Sequence, residues 1–347
     1  MSNPQNNSLK GNILIVDDNP ANLELLSFMY NQEPPKLELE AAALYCPFPA
    51  RINPRSQRLY RYSLEWVCQQ KLVRTRAELE TFASFRISEL VARAYPEVTW
   101  DALKILGLWN FWLFFLDDLV DEQEWGKQPK QLETFNDYLM QVILSCSDNL
   151  SHPLAKALDN IIQRLPKTSS WFPQFAESVS SCLDATVWEA KNRATCSHPD
   201  IDTYIQMRQF TGAFPSISNL MCLIRLVDPA LINQSLVQEL TITASNCICW
   251  ANDVASYTKE QKHGDFHNLV LLWQYSHQCS LPAAVTAAIE LHNQEVCKFI
   301  QLSQKLLNPP MANNSELRRY QGILETWIRG NFDWQLNSKR YNKNPEI

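Results

Sequence analysis

The sequence predicts an all-α protein, and three observations carry that expectation. Glycine is scarce, at 7 of 347 residues, and Gly is costly inside a helix whereas the plentiful Leu, Ala, Gln and Glu are not. From Leu37 onward, apolar residues recur with helical periodicity in long segments separated by short polar turns. Hydrophobic residues make up 46% and charged residues 20%, which fills a sizeable core and is too little charge for a disordered chain. No internal repeat or domain linker divides the helical region, so one α-helical domain over residues 37–347 is expected.

The segment before it differs. Residues 11–26 read as a short buried strand, the acidic turn Asp17-Asp18 and a helix. This resembles the opening of a response-regulator receiver domain, in which paired acids after the first strand hold magnesium. A receiver domain needs several more strands and helices to bury its parallel sheet. Here the pattern stops by Glu33-Pro34-Pro35, and no later strand supplies a phosphoacceptor Asp. Residues 1–36 are therefore expected to be a mobile, receiver-like extension without function of its own.

Helices are then expected, in order, at 59–72, 77–94, 100–119, 132–146, 153–165 and 171–192. Ser197-His198-Pro199-Asp200 punctuates the last of these and offers a cap to the next. Further helices follow at 201–226, 229–260, 269–275, 281–306 and 314–335. Residues 105–116 (ILGLWNFWLFFL) form the most apolar stretch. At 12 residues it is shorter than the ~20 needed to span a bilayer, and Asp117-Asp118 follows at once. It reads as a helix buried on all sides, without membrane insertion.

Charge and cysteine usage exclude some functions. The net charge of −6 disfavours a nucleic-acid binder, which needs a basic face to displace counterions. A phosphorylated substrate stays open, because bound metal ions invert local charge. Ten cysteines form no CxxC pair, and Cys247 and Cys249 are too closely spaced for zinc. The amino terminus lacks the basic and apolar blocks of a signal peptide, so a cytoplasmic protein with reduced thiols is expected.

Two acidic signatures carry chemistry. Asp117, Asp118 and Asp121 close the apolar helix, with Asp117 and Asp121 on one face. Stacked carboxylates repel one another, and magnesium relieves that repulsion; the alternative is a solvated helix end continued by Glu122 and Glu124. Asn252, Ser256 and Glu260 stand at i, i+4 and i+8. Each four-residue step drifts only ~40° around a helix, so an amide oxygen, a hydroxyl and a carboxylate line one stripe. That stripe offers half of an octahedral site, leaving room for water and phosphate oxygens, which Lys259 is placed to contact. His263-Gly264-Asp265-Phe266-His267 lacks the glutamate of a zinc protease motif and reads as a loop.

Together the two signatures resemble the aspartate-rich and NSE/DTE motifs of class I terpene synthases. The resemblance covers nearly everything after Leu37, and residues 44–54 look like the amino-terminal segment of bacterial sesquiterpene synthases. It implies an α-helical bundle around a central cavity and an enzyme that uses three Mg2+ ions to ionise a prenyl diphosphate, most simply farnesyl diphosphate. It further implies metal ligands at Asp117, Asp118 and Asp121 and at Asn252, Ser256 and Glu260. Arg208, 44 residues before Asn252, falls where the family places its diphosphate sensor, with Thr211 and Gly212 at the linker and effector positions of a helix break. Thr211 departs from the Asp of many bacterial members. Gly212 stands out in a glycine-poor chain, since glycine permits a helix break with an exposed carbonyl. Arg340-Tyr341 matches the carboxy-terminal pair that binds diphosphate. Phe114 and Trp334 match cavity positions, with Phe85 a further candidate; ring faces attract cations without being nucleophilic. The expected enzyme works as a monomer or homodimer. The rivals are a diterpene synthase using geranylgeranyl diphosphate, a chain-elongating prenyl diphosphate synthase, and a receiver-linked signalling protein.

Overall fold

The computed structural model describes residues 44–121, 124–145, 150–306 and 314–340, the side chains of Asp121 and Glu124 excepted. The receiver-like segment lies outside the described residues, as does Tyr341. Among the described residues every regular element is helical and no strand occurs.

The helices are α1 (Ser56–Gln69), α2 (Arg76–Phe85), α3 (Ile87–Ala94), α4 (Trp100–Asp121), α5 (Pro129–Leu144), α6 (Pro153–Ile162) and α7 (Phe172–Thr195). They continue as α8 (Ile201–Thr211), α9 (Phe214–Leu223), α10 (Pro229–Ile232), α11 (Ser235–His263), α12 (Leu269–His277), α13 (Leu281–Leu306) and α14 (Ser315–Asn337). Their ends follow local chemistry. Proline opens α5, α6 and α10, where its missing N–H costs nothing. Asp200 caps α8 as expected, accepting from the Thr203 N–H at 2.7 Å.

The apolar helix α4 runs through the middle of the bundle, with Leu103, Leu106, Leu108, Trp109, Phe111 and Trp112 fully buried. It packs against α1, α3, α6 and α9, while α7 and α5 pair on one side and α3 with α14 on another. None of the described helices is long and apolar enough to cross a membrane.

Three expected helices are divided, that over 229–260 at Asn233-Gln234, between α10 and α11. Residues 77–94 break at Arg86, whose backbone is left-handed (φ 54°). The carbonyl of Phe85 that this break frees accepts from Trp334 Nε1 at 2.7 Å and Ser338 Oγ at 2.9 Å. Orphan carbonyls at a helix end need such donors, and here they come from ~250 residues away in sequence, beyond any local pattern. Residues 201–226 break at Gly212-Ala213, between α8 and α9.

Candidate active site

The carboxy-terminal end of α4 meets the last described residue of the chain. Arg340, 3% exposed, lies 2.6 Å from Asp117 Oδ2 and 2.8 Å from Asp118 Oδ1. Its guanidinium stacks 5.1 Å from the Phe85 ring and 5.0 Å from the Phe114 ring. A buried guanidinium is tolerable there because two carboxylates match its charge and two ring faces cover its plane. Phe85 therefore faces Arg340 and a neighbouring apolar pocket with Phe82 and Phe115, away from the main chamber. The side chain of Asp121 lies outside the description.

The second wall is α11. Asn252 Oδ1 accepts from Arg208 Nη2 at 2.9 Å, and Ser256 Oγ donates to the Asn252 carbonyl at 2.7 Å. Glu260 Oε2 accepts from Asn268 Nδ2 at 2.7 Å. Asp253, one residue along, turns ~100° away from this stripe into the core, where it is fully buried. Its carboxylate accepts from Arg208 Nε at 3.0 Å, Tyr204 Oη at 2.7 Å and the Leu269 N–H at 3.1 Å. A buried charge needs such partners. Burial, and then the charges of Asp253 and Asp265, push the Glu260 carboxyl up to about 8, against a partial offset from Arg208.

The break between α8 and α9 completes the site. Arg208 Nη1 donates to Thr211 Oγ1 at 3.3 Å. A Cβ on Gly212 would lie 2.5 Å from Cys249 Sγ and 3.1 Å from the Arg208 carbonyl, so glycine permits a close approach of α8 to α11. Ala213 takes the left-handed conformation (φ 57°). The Ser216 and Ile217 N–H groups in the first turn of α9 bond to the Ala213 carbonyl at 3.2 and 3.3 Å. No backbone donor among the described residues reaches the Gly212 carbonyl.

These walls enclose two connected spaces. A polar pocket of about 680 Å³, counted out to its mouth, is lined by Asp117, Arg208, Asn252, Ser256, Lys259, Glu260 and Arg340. Below it lies an apolar chamber of about 1170 Å³, counted the same way, with Phe114, Trp109, Trp112, Phe210, Phe214 and Trp334 on its walls. Asp117, Glu189, Arg208, Thr211 and Asn252 border both. The Phe114 and Trp334 rings meet edge to face at 5.5 Å. Trp109, Trp112 and Trp334 each donate their indole N–H to a protein oxygen, at 3.1, 3.0 and 2.7 Å. Their polar edges are thus spent on the protein, and the chamber meets mainly ring carbon.

Among the described residues no three His, Cys, Asp or Glu form a ready-made metal cage. The donors lining the polar pocket are hard oxygens, Asp117 on α4 and Asn252, Ser256 and Glu260 on α11, while Asp118 pairs with Arg340 and borders the neighbouring pocket with Phe85. Such a set suits a small divalent cation that keeps waters and substrate oxygens in its shell. The raised carboxyl of Glu260 is what a cation would relieve. The residues fit the group.

Residues 108–298, more than half of the chain, match the family described as terpene synthase family 2, C-terminal metal binding. The chain belongs to the terpene synthase family. It is an enzyme of that class, and the matched region is the part of the family that binds divalent metal. The germacrene A synthase of Nostoc punctiforme is 32% identical over 88% of this chain and 96% of its own length. A (+)-T-muurolol synthase of Roseiflexus castenholzii, described as cyclising (2E,6E)-farnesyl diphosphate, is 33% identical over 86% and 93%. The crystal structure of germacradien-4-ol synthase from Streptomyces citricolor shares the fold, with a TM-score of 0.74 at 20% identity over 87% of this chain and all of that one.

Several residues of this synthase's polar pocket went unread in the sequence. The segment after α11, read as a plain loop, brings Asp265 and His267 to the polar pocket, with Glu189 and Arg193 of α7 opposite. Asp253 carried one usable signal: it sits one residue off the Asn252 stripe, on a face where only a partnered carboxylate survives. Nothing in the sequence named Tyr204 as that partner.

Proposed function

We propose that this synthase ionises farnesyl diphosphate with the help of Mg2+ and cyclises the resulting cation to a sesquiterpene, releasing diphosphate. One observation carries the reading: a charged pocket of phosphate-binding character opens directly onto an aromatic chamber, and the two share Asp117, Arg208, Thr211 and Asn252. The substrate follows from the relatives, which include a farnesyl diphosphate cyclase spanning nearly the same length.

In this reading Asp117, Asp118 and Asp121 on one side, and Asn252, Ser256 and Glu260 on the other, would hold Mg2+, three ions in all. The metal would supply Lewis-acid stabilisation of the leaving diphosphate. Arg208, Lys259, Arg340 and Tyr341 bind the diphosphate oxygens and orient the allylic C–O bond over the chamber. When that bond breaks, its electron pair leaves with diphosphate and the cation stays below. Phe114 and Trp334 offer it ring faces that do not add to it. Thr211 keeps Arg208 in place, and Gly212, on the chamber wall, would offer its carbonyl dipole to the developing charge. The apolar walls keep bulk water out until a proton is lost or one water is captured. The reading includes a cytoplasmic enzyme acting as a monomer or homodimer, and all nine described cysteines are free thiols.

The test is incubation of the purified protein with geranyl, farnesyl and geranylgeranyl diphosphates plus Mg2+, with gas chromatography of the products. Cyclic C15 products from farnesyl diphosphate are expected. Turnover of geranylgeranyl diphosphate alone would make it a diterpene synthase, and no product from folded protein would overturn the proposal.

A further inference from the structure

The segment Asp265–Asn268 does more than connect α11 to α12. Asn268 is fully buried. Its amide nitrogen donates to the Asp253 carbonyl at 2.8 Å and to Glu260 Oε2 at 2.7 Å, with Ser256 Oγ at 3.4 Å. Its amide oxygen accepts from the Val270 N–H at 2.8 Å and so caps α12. Donors and acceptors at both ends fix the amide in one orientation.

The backbone that carries Asn268 is itself anchored. Arg193 of α7 reaches Asp265 Oδ2 with Nη2 at 2.6 Å and Nε at 3.0 Å. The other Asp265 oxygen accepts from the Phe266 and His267 N–H groups at 2.8 and 3.0 Å and lies 2.8 Å from His267 Nδ1. His267 Nε2 lies 3.2 Å from Asn192 Nδ2, which ties the segment to α7 a second time. Burial acts to raise the Asp265 carboxyl, but His267 and Arg193 more than reverse this and hold it well below the usual range. A continuous chain of bonds thus runs from α7 through this segment to Ser256 and Glu260.

We propose that Asn268 is a positioning residue for the metal-binding stripe, fixing Glu260 and Ser256 before any cation arrives. The inference rests on the metal role of those two residues proposed above. A glutamate side chain loses rotamer freedom when it is fixed, and the Asn268 amide removes that freedom in the metal-free protein. Partners that orient metal ligands in this way are worth ~10–100-fold in metal affinity or activity.

Asn268→Ser separates this role from the helix cap, because Ser still offers the capping acceptor but has no amide N–H to reach Glu260. Asn268→Asp is the second variant: it also keeps the cap, and sets a carboxylate against Glu260. Mn2+ binding in the presence of inorganic diphosphate is read by electron paramagnetic resonance, and turnover is followed against Mg2+ concentration. The expected result is a ~10–100-fold rise in the concentration of either metal at half-saturation. At saturating Mg2+ kcat returns close to wild type, and the metal-free melting temperature moves by only a few degrees. Folded variants that bind Mn2+ and diphosphate like wild type overturn the proposal, as does lost turnover with unchanged metal affinity. If Asn268→Ser fails to fold, Asn268→Asp decides. Wild type that binds Mn2+ and diphosphate yet converts no prenyl diphosphate sinks the cyclase reading alone, and this inference is then judged on the Mn2+ titration.

Discussion

Gly212→Ala is the sharpest test of how α8 and α11 are held together. The new Cβ would sit 2.5 Å from Cys249 Sγ, about 1 Å short of an ordinary contact of ~3.5–4.0 Å. The Gly212 backbone angle of −75° suits alanine, so the whole cost is steric. Cys249 has little room to yield, being buried with its sulfur 3.9 Å from Ser245 Oγ and 3.8 Å from the Arg208 carbonyl. Overpacking of this kind costs ~1–3 kcal/mol. At ~2.1 cal/mol/K per residue, 347 residues give roughly 0.7 kcal/mol per degree, so the melting temperature should fall by about 1.5–4 °C. Moving Arg208 and the Gly212 carbonyl by close to 1 Å should cost ~10²-fold in turnover. Cys249→Ala removes the clashing sulfur, so the double variant should be more stable than the sum of the two changes, by ~0.5–3 kcal/mol. Thermal denaturation of all four proteins without metal, with farnesyl diphosphate turnover alongside, gives the cycle. Additivity within ~0.5 kcal/mol would refute the claim that glycine is required by the Cys249 contact.

Other changes probe the remaining parts of the site. Asp253→Asn strips the counter-charge from Arg208, whose side chain is 13% exposed; breaking a buried pair this way costs ~3–5 kcal/mol. Asp253→Asn with Arg208→Met should melt higher than Asp253→Asn alone, and a lower melting point for the double variant would contradict the pairing. Glu260, raised from 4.5 to about 8, contributes stability that is complete below 4.5 and is lost as pH rises through 8. In metal-free protein the melting temperature of Glu260→Gln should therefore fall less than wild type's across that window, and parallel curves would speak against the buried carboxyl. Phe114→Leu and Trp334→Leu keep apolar bulk but remove the ring face, worth ~0.5–2 kcal/mol to a nearby cation. Turnover should drop roughly 2–30-fold with a larger share of acyclic product by gas chromatography; an unchanged profile for both would remove the rings from the mechanism.

What the sequence determined by itself is local or periodic. Scarce glycine, helical periodicity and the short apolar run before Asp117 specify an all-helical chain and its buried central helix, because helix propensity and burial follow from nearest neighbours and period. The stripe Asn252, Ser256 and Glu260 was legible for the same reason, since four-residue spacing puts side chains on one face wherever the helix goes. The tertiary structure alone decided what crosses the chain. It divided residues 77–94 at Arg86, because donors from Trp334 and Ser338 reward the open carbonyl of Phe85. It brought Arg340 onto Asp117 and Asp118, turned Phe85 from the chamber toward that guanidinium, and made Asp265–Asn268 part of the polar site. Each depends on hydrogen bonds and ion pairs whose partners lie far apart in sequence, and pairing energy of that kind has no period to read.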